Sequence, residues 1–193
     1  FQNYIDRYQQ SGLSPESAPP AELPTLIKDA KRIFASDLQR AIESAKRLAP
    51  GTRLITDPLF TEAPLASPPI RGLRLKVPAW AVVARVAWHG GYTPDIESYR
   101  QAKLRVAKAF RILTDAARED GIAVLVGHGY FNAMVGRYLR LRGWRRVQGA
   151  HRAEFWNTVV YEWGGAEPRR KRVISVSRRG RGRSSSGTAG RPI

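Results

Sequence analysis

Residues Gly121 to Met134 read GIAVLVGHGYFNAM and carry the clearest structural signal in the chain. Ile122 to Val126 is a continuous run of apolar, mostly branched residues, which is typical of a parallel strand buried on both faces. Gly127-His128-Gly129 follows, and the pattern from Tyr130 to about Leu141 predicts a helix. Ligands of open α/β sheets bind where such strands end and helices begin. His128 is therefore either a functional residue or a histidine that satisfies a turn, and the two readings are about equal on this stretch alone.

A similar unit of strand and helix lies upstream. Ile33 to Ala35 is a short apolar strand, and the SDLQ that follows it predicts a capping box with Ser36 at the N-cap and Gln39 at the third helical position. The helix is expected to end at Pro50-Gly51. Arg40 lies in its first turn, where unpaired amides and a guanidinium suit a phosphate. On this stretch alone, a surface arginine on an amphipathic helix is the simpler reading.

The rest of the pattern predicts an α/β protein with a three-layer α/β/α arrangement and a mostly parallel, doubly wound sheet. The Pro-rich stretch 57–94, with a short helix at about 79–88, is long and irregular enough to be a lid. The other elements that we expect are helices at Glu22–Lys31 and Ile96–Asp120 and strands at Arg53–Thr56 and Trp156–Trp163.

Composition excludes several classes of protein. The 193 residues contain no cysteine, which rules out disulfides, thiolate metal sites and a cysteine nucleophile. The three histidines are scattered, so we expect no metal and no cofactor. No apolar run approaches the roughly 20 residues that cross a bilayer, and no secretory signal is visible. We therefore expect a cytoplasmic protein that does not bind membranes.

The net charge of +17 is concentrated near the C-terminus. Residues 164–193 contain nine Lys or Arg and one acidic residue, Glu167, so that nearly half of the excess lies in this segment. With few large apolar residues, 164–193 is expected to be a basic, disordered tail. Residues 1–163 are expected to form one domain.

Three segments together, SDLQRAIESAKRL, LFTEAPL and VLVGHGYFNAMVGRYL, resemble the phosphoglycerate-mutase-like histidine phosphatase superfamily. The resemblance implies that Arg40 binds phosphate, that Glu62 is the general acid, and that His128 is the second catalytic histidine. Ser36, Gly129 and Asn132 lie in the same motifs and are expected to contact the substrate as well.

The chemistry that this resemblance implies is hydrolysis of a phosphomonoester in a small phosphorylated substrate. A first histidine attacks phosphorus and becomes a phosphohistidine. Arginines and the second histidine stabilise the charge on the equatorial oxygens, and an acid protonates the leaving oxygen.

The attacking histidine of the family belongs to an Arg-His-Gly motif at the end of the first strand, and this sequence contains no such motif. We therefore expect the chain to begin downstream of that motif and to be inactive as it stands. A missing central strand would also expose the edges of its neighbours. His89, in Trp88-His89-Gly90, is expected to be a lid residue, although a permuted enzyme that uses it as nucleophile is a weaker alternative.

Two other functions remain open. The chain could belong to a non-catalytic relative that binds a phosphorylated ligand through Arg40 and His128. Less favoured is a nucleic-acid-binding protein, because the basic tail could bind phosphate backbones without specificity but lacks interleaved aromatic residues. The sequence does not indicate an oligomeric state.

Overall fold

The computed structural model describes residues 3, 5, 7, 12–70, 72, 75–152, 154–165 and 171–178. The strands are β1 (Arg32–Ala35), β2 (Arg53–Thr56), β3 (Ile122–His128), β4 (Trp144–Gln148), β5 (Asn157–Trp163) and β6 (Arg172–Arg178). The helices are α1 (Glu22–Leu26), α2 (Gln39–Leu48), α3 (Val77–His89), α4 (Tyr99–Asp120) and α5 (Gly129–Leu141), with a 3-10 turn at Pro58–Phe60.

One six-stranded sheet has the order β2-β1-β3-β6-β5-β4. The pairs β1/β2, β1/β3 and β3/β6 are parallel, whereas β5 runs antiparallel to both β6 and β4. The predicted α/β fold with a mostly parallel sheet is confirmed. The carboxyl ends of β1, β3 and β6 meet at one edge, which is where such sheets bind ligands.

Two apolar clusters cover the two faces of the sheet. Side chains of α4 and α5 pack with Phe34, Leu125 and Val173 on one face. Leu23 of α1 and Leu48 of α2 lie against the opposite face with the intervening residues of β1, β3 and β6. Strands buried on both faces require apolar residues at successive positions, which explains the continuous run in β3.

The start of α2 differs from the prediction because the residue that caps it is not the one expected. The capping box predicted at Ser36 is wrong: α2 begins at Gln39, Leu38 is its extended N-cap, and no side chain caps it. Ser36 instead accepts a hydrogen bond from the amide of Leu38 at 3.2 Å, within the turn that precedes the helix. A capping box does start α4, where Ser98 and Gln101 bond reciprocally.

The disordered tail predicted for 164–193 is wrong for residues 172–178, which form β6. This strand lies inside the sheet and pairs with β3 and β5 over most of its length. Its low apolar content is offset because neighbouring strands satisfy its backbone on both sides and Val173, Ile174 and Val176 are buried. Residues 166–170 and 179–193 of the predicted tail lie outside the described residues.

β6 also corrects a second expectation, that of exposed strand edges left by a missing central strand. Both edges of β3 are paired, one with β1 and the other with β6. Two smaller differences are that β4 was not predicted and that the helix expected over Glu22–Lys31 ends at Leu26, before a turn at residues 27–29.

The predicted lid, 57–94, contains the helix expected within it, α3. Trp88, which is buried near the end of α3, packs edge-on against Tyr99 at the start of α4. Its indole nitrogen donates to the carbonyl of Glu97 at 2.7 Å. These contacts fasten the end of α3 to the main layer of helices.

Candidate active site

β1 and β3 bring the two main candidate residues to the same edge of the sheet. The amide of Ser36 donates to the carbonyl of Val126 at 3.3 Å, which holds the ends of the two strands together. A Cβ at Gly127 would lie 2.8 Å from Oδ1 of Asn132, so any side chain there would force the buried Asn132 side chain to move. The close approach of α5 to the end of β3 thus depends on this glycine.

Arg40 and His128 are in contact, and both are almost completely buried. Nη2 of Arg40 lies 3.4 Å from Nδ1 of His128. A guanidinium only donates hydrogen bonds, so this contact requires Nδ1 to be the acceptor and assigns the proton to Nε2. The Nε2 atom is buried and has no hydrogen-bond partner among the described residues. A buried donor without a partner is costly, and a ligand oxygen would satisfy it.

The charges around His128 keep it neutral. Burial, together with the smaller effects of the positive charges on Arg40 and Arg105, lowers the pKa of His128 to about 3. At neutral pH the imidazole is therefore an uncharged donor beside a permanently charged guanidinium. A bound phosphoryl group would complete this arrangement, because its negative charge compensates Arg40 and its oxygens accept from both residues.

A small cavity adjoins this pair. The residues that line it are Arg40, Ala41, Ser44, Val126, Gly127, His128, Trp156, Val176 and Ser177. Trp156 adopts a left-handed backbone conformation with φ of 55°, which is uncommon for a bulky residue and costs free energy. Its indole nitrogen donates to Oγ of Ser17 at 3.1 Å. The cavity is therefore lined by α2, the end of β3, Trp156 and β6, which are far apart in sequence.

Glu62 binds the N-terminus of α5, the helix that begins directly after His128. Its Oε1 accepts from the amide of Phe131 at 2.8 Å, and its Oε2 accepts from the amide of Tyr130 at 3.2 Å. No other side chain caps α5 within the described part of the chain. The carboxylate therefore satisfies the exposed amides and the positive end of the helix.

Two arginines hold the loop on either side of Glu62. Arg105 of α4 donates to the carbonyls of Leu59 at 2.9 Å and Thr61 at 2.6 Å, while its other nitrogens form a bidentate ion pair with Glu97. Arg85 of α3 donates to the carbonyls of Ala63 and Pro64 at 3.1 and 3.2 Å. The position of Glu62 thus depends on both helices.

The family model of the histidine phosphatase superfamily (branch 1) matches residues 22–172. This range contains Arg40, Glu62 and His128 and covers most of the chain. The chain belongs to the histidine phosphatase superfamily. Comparison with curated proteins gives no significant match.

The other predicted site residues of this superfamily member occupy different positions. Gly129 is the first residue of α5 and directly follows His128. Oγ of Ser36 is 3.5 Å from Oγ1 of Thr61, so Ser36 links the end of β1 to the loop that carries Glu62. Asn132 is buried and donates to the carbonyl of Val176 at 3.0 Å, which ties α5 to β6. None of these three lines the cavity beside Arg40 and His128.

The remaining two histidines lie in separate contacts. Nε2 of His89, at the end of α3, is 2.6 Å from the hydroxyl of Tyr130. Nε2 of His151 is 2.7 Å from the hydroxyl of Tyr161. No cluster of three or more potential metal ligands occurs among the described residues, and no helix in that part of the chain is long and apolar enough to cross a membrane.

Sequence reasoning missed two contributions to the site. Ser177 and Val176 lie in the segment that composition assigned to a tail, so no pattern pointed to the cavity wall that they form. Arg105 acts through backbone carbonyls, which carry no sequence signal. The sequence shows an acidic residue, Glu97, eight positions before Arg105 and just before α4, but this spacing indicates at most the ion pair between them.

Proposed function

We propose that this protein is a phosphatase that hydrolyses a phosphomonoester of a small substrate through a phosphohistidine, and that Arg40 and His128 bind the phosphoryl group. The observation that carries the proposal is the buried Nε2 donor of His128, without a partner among the described residues and next to the Arg40 guanidinium. Two such donors at the carboxyl edge of a parallel sheet suit a tetrahedral anion.

In the proposed reaction, an imidazole nitrogen forms a bond to phosphorus as the bond from phosphorus to the leaving oxygen breaks. Arg40 and the neutral His128 donate to the equatorial oxygens, where charge is spread in the transition state. Glu62 is proposed to give a proton to the leaving oxygen, which requires it to release an amide of α5 and take up a proton. Water then attacks the phosphohistidine and regenerates the imidazole.

The attacking imidazole is proposed to come from an Arg-His-Gly segment that these 193 residues do not include. His89 bonds to Tyr130 and His151 bonds to Tyr161, so neither histidine is bonded to His128 or Arg40. The 193-residue chain is accordingly expected to bind the phosphoryl group without turnover.

A second candidate is a non-catalytic relative that binds a phosphorylated ligand. It is favoured by a different observation, that the other two histidines bond elsewhere, His89 to Tyr130 and His151 to Tyr161. For such a relative, Arg40 and His128 would still bind the phosphoryl group. Glu62 would stay bonded to the amides of α5 and would not act as an acid.

Hydrolysis of p-nitrophenyl phosphate in the presence of EDTA separates the two candidates. For a longer natural form that includes an Arg-His-Gly segment, we expect turnover that is lost on His128→Ala and retained on His151→Ala, the matched control. The 193-residue chain should show none. Unchanged turnover in the His128→Ala variant would refute the proposed role of His128, and absence of turnover with retained phosphate binding would favour the binding protein.

A further inference from the structure

The end of α5 and the strand that follows it carry an unusual concentration of positive charge. Between Gly121 and Arg152 the sequence contains no acidic residue. The arginines in this stretch, all exposed, are Arg137, Arg140, Arg142, Arg145, Arg146 and Arg152. We refer to β4 together with these six arginines as the arginine edge.

The charges of the arginine edge are not neutralised within the described part of the chain. None of the six arginines forms an ion pair there. Glu162 of β5 is the acidic residue opposite Arg145 in the register of the two strands. Arg146 lies opposite Tyr161 in that register, and Arg142, at the end of α5, donates to the hydroxyl of Tyr138 at 2.9 Å. Neither group is a carboxylate, so solvent and salt carry most of the screening between these arginines.

Arg140 of α5 and Arg146 of β4 both lie near the hydroxyl of Tyr161. Burial raises the pKa of Tyr161 to about 12, and both Arg146 and Arg140 oppose that rise. The two guanidinium groups, one from each element, therefore lie within electrostatic range of one hydroxyl. Arg146 also contributes, after burial, to the lowered pKa of His151, which bonds to that hydroxyl. Arg146 lies opposite Tyr161 in the register of β4 and β5, so it shares with Tyr161 the sheet face that α5 covers.

The same surface offers backbone and apolar groups. β4 is the last strand of the sheet, and the backbone groups along its outer side have no strand partner among the residues that the structure describes. Next to the charges, Leu141 is 72% exposed and Val147 is 50% exposed. β4 is an edge strand with a bulge between Arg146 and Gln148, and it presents exposed aliphatic groups beside cations that form no ion pair among the described residues. Such a surface has features that bind an extended peptide by strand addition.

We propose that the arginine edge is a docking surface for an extended acidic segment of a partner protein, which pairs with β4 and places its carboxylates against Arg140, Arg142 and Arg146. The exposed leucine and valine favour a peptide over a nucleic acid, whose recognition would use aromatic side chains for stacking or a helix in a groove. This inference does not depend on the proposed function, because β6 and β5 lie between β4 and the strand β3 that carries His128.

The test uses a fluorescein-labelled peptide of four Glu-Val repeats, with binding to the 193-residue chain followed by fluorescence anisotropy at low salt. The triple variant Arg140→Gln, Arg142→Gln, Arg146→Gln is expected to weaken binding about tenfold, or about 1.4 kcal/mol in total, since exposed ion pairs each contribute little. The matched control is Arg100→Gln, Lys108→Gln, Arg111→Gln, which removes the same charge from exposed positions of α4. This control should bind as the unchanged chain does.

Strand addition has its own readout. Amide hydrogen exchange at Arg145 to Val147 should slow when the peptide binds, and a peptide of scrambled D-residues should give no slowing. The proposal is overturned if the Glu-Val peptide does not bind, because the arginines would then only protect the edge from aggregation. Equal losses in both triple variants would show an effect of net charge alone. Tighter binding of duplex DNA, lost in the same variant, would make this a nucleic-acid surface.

Discussion

β3 and β6 are parallel neighbours in the middle of one sheet, yet only β3 can be recognised from its sequence. They pair over seven residues, from Ile122 opposite Arg172 to His128 opposite Arg178. β3 reads IAVLVGH and is flanked by glycines, whereas β6 reads RVISVSR between basic residues. Burial of the central residues is nearly the same in both strands. The comparison shows that position in a sheet can impose a strand on a sequence that composition alone assigns to a tail.

The two strands differ because β3 is stabilised mainly by burial of its own apolar side chains and β6 more by backbone pairing with its neighbours. β3 has an apolar residue at every buried position through Val126, so its own side chains favour burial on both faces. β6 places Ser175 and Ser177 on a buried face, and it depends more on backbone pairing with β3 and β5. Strand propensity is strongly influenced by such context.

The largest effect is expected from truncating the buried side chains of the two strands. Leu125→Ala in β3 and Ile174→Ala in β6 should each lower the free energy of unfolding by about 2–5 kcal/mol, because both residues are completely buried. Val82→Ala, at a position 63% exposed, is the control and should cost less than about 0.5 kcal/mol. Urea denaturation measures all three. A large loss for Leu125 with almost none for Ile174 would contradict the central position of β6.

A smaller effect on the free energy of unfolding is expected at acid pH. It comes from β3 and not from β6, because β3 ends in the buried His128. Burial lowers the pKa of His128 to about 3 from an ordinary value of 6.5, so the unfolded chain binds a proton in this interval that the folded chain does not. Stability should therefore be independent of this group above pH 6.5 and fall as the pH decreases from 6.5 towards 3. Between pH 7 and 5.5 the loss is about 1 kcal/mol.

His128→Gln is the variant that isolates this contribution. The pKa values of His89 and His151 are also lowered, chiefly by burial, and both remain in the variant. Urea denaturation at several pH values should show a weaker pH dependence for His128→Gln than for the unchanged chain. Identical pH dependence in the two proteins would show that His128 does not titrate as a buried neutral group.

The smallest effect concerns the serines of β6. Oγ of Ser175 is buried and has no hydrogen-bond partner among the described residues, and Ser175 lies opposite Leu125 of β3. Ser175→Ala should raise the free energy of unfolding by about 1 kcal/mol by removing this unsatisfied group. Ser177→Ala is the matched comparison, because Oγ of Ser177 is 3.5 Å from the carbonyl of Asn157 and its loss should be nearly neutral. A loss of stability in Ser175→Ala would show that the hydroxyl is satisfied.

Much of the fold could be predicted because periodicity and capping are local properties. The branched run of β3, the amphipathic spacing of α4 and the glycine that ends it at residue 121 each specify an element without reference to the rest of the chain. β6 and β4 could not be predicted in this way. Their side chains are polar or basic at most positions, and only the neighbouring strands make them part of the sheet.

The candidate site was predictable to the same extent. Arg40 and His128 each lie where a strand ends and a helix begins, and the geometry of a parallel sheet brings such places together. The contacts that complete the site are of another kind. Arg105 donates to backbone carbonyls, and Glu62 accepts from backbone amides, so neither interaction leaves a pattern of side-chain types in the sequence.

We propose that Arg40 and His128 form a binding site for a phosphoryl anion. Calorimetric titration of the 193-residue chain with inorganic phosphate tests it most directly, with Lys46→Gln as a control that removes one exposed positive charge from the same helix. We predict saturable binding that weakens at least about tenfold in Arg40→Gln and is unchanged in Lys46→Gln. Absence of binding by the unchanged chain, or equal weakening in the two variants, would show that Arg40 and His128 do not form such a site.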